Sequence, residues 1–350
     1  MEEQYRLLKN DLDKFLEILR KSYPKIIGPS LDNEEREIFK EITNVNELKL
    51  DRTIPLKPPK EFLFPQSEEL FKFSFKEGKF DLKDENCFEK QVLFALRPCD
   101  LTAIKYTDTF FTSNFIDSYY SVKRENSLIV GIACEYPSNK CFCTSMGVSP
   151  VSSEGSDIFL TNGGSFFLVE FLTEKALSIR EQFAGLLKEA SLEDATLKNR
   201  IEKRTRSLLL EEFDLGKVRE GIDKIYGKEE LFRKYSDACV MCGACTFNCP
   251  TCTCFDVSDK FTDKDSGKRY RTWDSCSFYN FSLHASGHNP RSRKVERLRQ
   301  RIMHKFNYTV KQFNLWSCIG CGRCIAVCPV GINTKSIAKD LQREASNENK

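Results

Sequence analysis

Cys239-Val240-Met241-Cys242-Gly243-Ala244-Cys245-Thr246-Phe247-Asn248-Cys249-Pro250 and, 79 positions later, Cys318-Ile319-Gly320-Cys321-Gly322-Arg323-Cys324-Ile325-Ala326-Val327-Cys328-Pro329 share one spacing. In each run two residues separate the first three cysteines, three separate the last two, and a proline follows the fourth. Gaps this short wrap three thiols around one point. Gly243, Gly320 and Gly322 let the backbone approach that point and turn its amides toward the sulfurs. The two runs decide how the C-terminal part of the chain is read.

The pattern, proline included, is that of bacterial ferredoxins, in which the fourth cysteine of each run ligates the other cluster. It assigns Cys239, Cys242, Cys245 and Cys328 to one [4Fe-4S] cluster, and Cys318, Cys321, Cys324 and Cys249 to a second. Structural zinc also takes four cysteines, but usually from two separated pairs rather than two copies of a four-cysteine run. The interval between the runs is long for a compact ferredoxin. Val295, Leu298, Ile302 and Phe306 step along it at helical spacing, so an α-helical ferredoxin-like domain is expected.

Composition sets the frame around this signal. The 350 residues are 40% hydrophobic and 30% charged, as in soluble globular proteins of about two domains. Fifty-four Lys and Arg against 51 Asp and Glu give a net charge of +3, which argues against a dedicated nucleic-acid binder. Met1-Glu2-Glu3-Gln4-Tyr5 lacks the basic start of a secretory signal, and no apolar run approaches the roughly 20 residues of a membrane span. A cytoplasmic protein is expected. There, sixteen cysteines point to metal or redox chemistry rather than to disulfides.

The N-terminal part reads as an α/β or α+β domain. Leu8, Leu12, Phe15, Leu16 and Leu19 mark an amphipathic helix that stops near Pro24, and Pro55, Pro58, Pro59 and Pro65 mark an extended strap. Phe71, Phe73 and Phe75 alternate with polar residues as in a half-buried strand. The apolar runs 92–96 and 128–133 read as strands buried on both faces, the first followed by a helix with Asp100 as its N-cap. Residues 157–161 and 166–171 read as a β-hairpin. The expected domains are 1–172, a helical connector over 173–233, and the dicluster domain over 234–350.

Eight cysteines lie outside the two runs. Cys99 and Cys134 each follow a buried strand; if those strands are parallel neighbours, both fall at one carboxyl edge, where α/β domains build their sites. The loop carrying Cys141 and Cys143 then completes a four-thiolate set, read as a third metal site and as [4Fe-4S] rather than zinc, with buried free cysteines as the alternative. Cys252, Cys254 and Cys276 form an incomplete set, with His284 or an N-terminal cysteine considered as a fourth ligand and packing around the clusters as the competing role. Cys87 is read as a bystander. Between Arg291 and Lys311 stand eight Lys or Arg and one acid, Glu296, read as a solvated helix face that neutralises anionic clusters or docks an acidic partner, with a nucleic-acid stripe as the minor alternative.

Taken in order, Phe94-Ala95-Leu96-Arg97-Pro98-Cys99-Asp100-Leu101, Cys141-Phe142-Cys143-Thr144-Ser145-Met146-Gly147, Cys249-Pro250-Thr251-Cys252-Thr253-Cys254-Phe255-Asp256, Trp273-Asp274-Ser275-Cys276 and Met303-His304-Lys305-Phe306 resemble the beta (iron–sulfur) subunit of cytoplasmic sulfhydrogenases. They are similar also to the corresponding iron–sulfur subunit of anaerobic sulfite reductases. The resemblance covers residues 90–332. It implies an electron-transfer subunit of a hetero-oligomer, between a flavoprotein subunit that binds FAD and handles NAD(P)H and a catalytic subunit. That catalytic partner is a nickel–iron hydrogenase in one branch and a sirohaem sulfite reductase in the other. No G-x-G-x-x-G follows a strand here, so no nucleotide site of the chain's own is expected. The competing reading is a self-contained reductase whose N-terminal cysteines act on a sulfur compound.

Overall fold

The computed structural model describes residues 4–84, 88–209, 213–223 and 225–347; Cys87 lies outside them. In chain order the strands are β1 Gln4–Leu8, β2 Lys25–Leu31, β3 Glu37–Glu41, β4 Ser67–Lys76, β5 Lys79–Lys83, β6 Gln91–Leu96, β7 Ser127–Ile132, β8 Ile158–Asn162, β9 Phe166–Phe171, β10 Lys188–Glu189, β11 Phe255–Phe261 and β12 Ser266–Trp273. They form an eight-stranded sheet of order β10-β1-β9-β8-β7-β6-β2-β3 and a four-stranded sheet of order β11-β12-β4-β5.

The centre of the large sheet is parallel. β2 pairs β6, β6 pairs β7 and β7 pairs β8 in the same direction, while β8 and β9 form the antiparallel hairpin. Every residue of β6 and β7 is buried, as continuous apolar strands covered on both faces require. On one face lies the helix Leu12–Ser22, whose Leu12, Phe15, Leu16 and Leu19 pack with Phe94, Val130 and Leu160. On the other, Leu93, Leu96 and Ile129 meet Leu101, Ile104 and Phe111 of the helix Pro98–Thr112. That helix opens on Pro98 rather than on a cap at Asp100, because the fixed φ of proline suits a first helical position.

The segment after β9 divides its packing. Ile179 and Phe183 join the core beneath the large sheet, whereas Val218, Ile222, Ile225 and Phe232 pack with Leu298, Ile302, Phe306, Ile337 and Leu341 of the C-terminal helices. The interval between the cysteine runs holds the amphipathic helix Lys294–Met303 and also a β-hairpin, β11–β12, which the helical periodicity did not anticipate. β12 pairs antiparallel with β4, nearly two hundred residues earlier, so the two halves of the chain share a sheet. No helix among the described residues is long and apolar enough to cross a membrane.

Candidate metal centres

The two cysteine runs are built alike. Each leads through a left-handed glycine, Gly243 at φ +74° or Gly322 at φ +77°, into a one-turn helix, Ala244–Phe247 or Arg323–Ala326. Two residues before each glycine the backbone is left-handed again, at Met241 (φ 55°) and Gly320 (φ 67°). A methionine is accommodated at the first of these positions, but the second has room for glycine alone. A Cβ on Gly320 would stand 2.6 Å from the Cα of Cys143.

Cys239, Cys242, Cys245 and Cys328 line one cavity, together with Cys324, Leu298 and Arg301. The fourth cysteine of the second run thus faces the first three of the first. Backbone amides support the sulfurs: Ile332 N donates to Cys328 Sγ at 3.2 Å and Met241 N to Cys239 Sγ at 3.5 Å. Cys249, Cys318 and Cys321 are buried, and Cys249 and Cys324 lie close enough to both Cys318 and Cys321 for their charges to interact. Burial pushes the Cys318 thiol up to about 12. Cys249 is held well below the ordinary range because Cys252 donates to it and the cations Lys305 and Arg301 face it.

Because β6 and β7 are parallel neighbours, Cys99 and Cys134 do fall at one sheet edge. A bulge at the end of β6, with Ala95 at φ 59°, re-aims the chain there. Arg97 ties the edge together, donating to Ala133 O at 2.9 Å and Leu50 O at 2.7 Å. Cys99, Cys134, Cys141 and Cys143 line a single cavity that also includes Cys321 of the second run. Burial raises Cys141 to about 11 and Cys143 to about 12, so metal entering this cavity would displace protons.

The remaining cysteines pair off: Cys252 with Cys249, and Cys254 with Cys276. His284 stacks edge-on with His288, ring centroids 5.4 Å apart. Among the described residues no three His, Cys, Asp or Glu side chains close on one point as a single ion requires. Zinc held by thiolates at about 2.3 Å would draw the sulfurs to roughly 4 Å from one another. Thiols ringing a cavity instead fit the larger body of an iron–sulfur cluster.

Three cations are buried among these sulfurs. Lys305, on a π-helical turn His304–Tyr308, donates to Cys249 Sγ at 3.2 Å, Thr251 Oγ1 at 3.2 Å and Ser317 O at 3.1 Å. Arg301, 4% exposed, reaches Cys245 O at 3.3 Å while its Nε has no partner. Lys60 donates to Cys252 O at 2.8 Å and lies 4.0 Å from the centroid of the Trp273 ring. Among the described residues no carboxylate pairs with any of the three. A buried charge without a counter-ion is costly, so the site is built for an anion, which a thiolate-ligated iron–sulfur cluster is. The sequence held a signal for two of them, since Arg301 and Lys305 stand four apart beside the apolar stripe Leu298, Ile302 and Phe306. Nothing local marked Lys60.

Residues 238–332 match the family model of the 4Fe-4S dicluster domain. Over 326 residues, covering 92% of this chain and 93% of the relative, the chain is 32% identical to the beta subunit of sulfhydrogenase 2 of Pyrococcus furiosus. The likeness therefore extends well beyond the motifs that first suggested it. The chain belongs to the sulfhydrogenase beta-subunit family.

Proposed function

We propose that this chain is the electron-transfer subunit of a cytoplasmic multi-subunit oxidoreductase and does no bond chemistry on the complex's substrates. The observation that carries the reading is the set of buried cations Lys60, Arg301 and Lys305, which face cysteine sulfurs and backbone carbonyls and have no carboxylate partner among the described residues. In this reading Cys239, Cys242, Cys245 and Cys328 hold one [4Fe-4S] cluster, and Cys318, Cys321, Cys324 and Cys249 the second. Cys99, Cys134, Cys141 and Cys143 hold a third.

Such a cluster, when bound, takes up and returns a single electron. The protein's part is to set how readily it does so. Lys305 and Arg301 offset negative charge at Cys249 and Cys245, and the amides of Met241 and Ile332 stabilise thiolate sulfur. The contact of Cys321 with the cavity of the N-terminal four supports a relay across the interface between the two halves of the chain. The partners are a flavoprotein subunit binding FAD and NAD(P)H and a catalytic subunit of the nickel–iron hydrogenase type.

Anaerobic purification of the tagged chain, co-expressed with its neighbouring genes, tests the assignment. The flavoprotein and hydrogenase subunits are expected to co-purify, and the isolated chain to accept electrons without oxidising hydrogen or NAD(P)H. Turnover of polysulfide or sulfite by the isolated chain with an artificial donor would overturn it.

A further inference from the structure

The base of the β11–β12 hairpin holds two cysteines that none of the three cluster assignments uses. The last register pair is Phe255 with Trp273, and Asp274 N donates to Cys254 O at 2.9 Å, so Cys254 and the turn carrying Cys276 close the hairpin's mouth together. That turn is fixed: Ser275 N donates to Asp274 Oδ1 at 2.6 Å, Phe278 N to Ser275 O at 2.9 Å, and Thr246 Oγ1 to Ser275 Oγ at 2.8 Å. Cys254 and Cys276 thereby stand side by side, each thiol acting on the other's proton affinity, and the amide of Cys276 also acts on the Cys254 sulfur. Both residues are partly exposed, whereas Cys252 is buried. Lys60 and Lys305 face Cys254, and Arg301 faces Cys276.

We infer that Cys254 and Cys276 form a dithiol–disulfide couple that exchanges with low-molecular-weight disulfides. The Cys254 thiolate attacks one sulfur of the disulfide RSSR, forming a mixed disulfide and expelling RS⁻. Cys276 loses its proton and attacks the Cys254 sulfur, which closes the Cys254–Cys276 bond and expels the second RS⁻. In sum two protein thiols give up two electrons and two protons, and RSSR becomes two RSH; excess dithiol reverses each step. The surroundings suit the attacking thiol: hydrogen bonding from Cys276, with the two lysines behind, lowers Cys254 to about 7, in the range where thiolate fraction and nucleophilicity are best balanced.

The test uses the anaerobic, cluster-loaded chain poised in graded mixtures of oxidised and reduced dithiothreitol, quenched in acid, alkylated and mapped by peptide mass spectrometry, with iron counted in parallel. The peptides bearing Cys254 and Cys276 are expected to appear cross-linked and two hydrogens lighter under oxidising poise, and to reopen fully under reducing poise. C254S and C276S are expected to lack the cross-link and to retain the iron content of the unaltered chain. No cross-link at any poise, a cross-link to a cysteine other than these two, or loss of iron in either variant would overturn the inference, the last by making these residues metal ligands. An unaltered chain without iron would instead count against the cluster reading, while its cross-link would still stand or fall by itself.

Discussion

Arg323 and Asp100, 223 positions apart, form a buried two-pronged ion pair, with Nη1 to Oδ1 at 2.6 Å and Nη2 to Oδ2 at 2.9 Å. Arg323 stands between two cysteines of the second run, and Asp100 directly follows Cys99. Arg323 Nε adds a bond to Pro55 O at 2.7 Å, so one side chain fastens the cysteine run to the sheet edge and to the proline strap. Beside it Phe142 N donates to Gly320 O at 2.8 Å. The third thiol set and the second run are thus held as one unit.

Removing one partner of this pair leaves the other charged and buried. Asp100→Asn is expected to cost about 3–5 kcal/mol in denaturant unfolding, and the double variant with Arg323→Met less than Asp100→Asn alone. Equal or greater loss in the double variant would show that the pair acts through something other than its charge.

The close approach at Gly320 gives a steric prediction with its own control. Gly331, at φ +70°, has nothing within 4 Å of an added Cβ, so Gly331→Ala carries only the left-handed backbone penalty of about 1–2 kcal/mol. Gly320→Ala adds a collision with the Cys143 backbone and should lower the melting temperature clearly further. Similar losses for the two would mean that the packing of the second run on the 140–143 loop is looser than 2.6 Å implies.

Lys305 lies 3.2 Å from Cys249 Sγ, where its charge favours the more negative, reduced state of a cluster. Lys305→Met is therefore expected to make one reduction potential more negative by about 60 mV, a tenfold change in a one-electron equilibrium, at unchanged iron content. Potentiometric titration followed by electron paramagnetic resonance measures it. An unchanged potential would remove Lys305 from any tuning role.

How much of this was legible beforehand follows from range in sequence. The parallel strands around Val92–Leu96 and Leu128–Ile132, the helix Leu12–Ser22 and the hairpin β8–β9 write their periodicity locally, and the strand order then puts Cys99 and Cys134 together. β11 escapes the sequence reading: Phe255 and Val257 alternate with polar residues, but Asp259 breaks the pattern before Phe261, the strand is exposed throughout, and its hairpin is held by β4 from the N-terminal half of the chain. The Arg323–Asp100 pair and the position of Lys60 depend on the same long-range docking. The eight run cysteines needed none of it, since their spacing alone states the chemistry.

One ion pair sets a pH response. Asp194 is held down at about 2, first by its hydrogen bonds from Arg6, so its contribution to stability is complete above the ordinary carboxylate range near 4 and is lost as pH falls toward 2. Denaturation followed between pH 5 and 2 should show a loss that Asp194→Asn flattens. An unchanged slope in the variant would assign the acid sensitivity elsewhere.

The central claim, that the thiol sets hold iron–sulfur clusters, is tested most directly by counting iron and acid-labile sulfide per chain on anaerobically reconstituted protein. About twelve of each is predicted, falling to about eight when Cys141 and Cys143 are both replaced by serine. A preparation that excludes iron and binds zinc in its place would contradict the account.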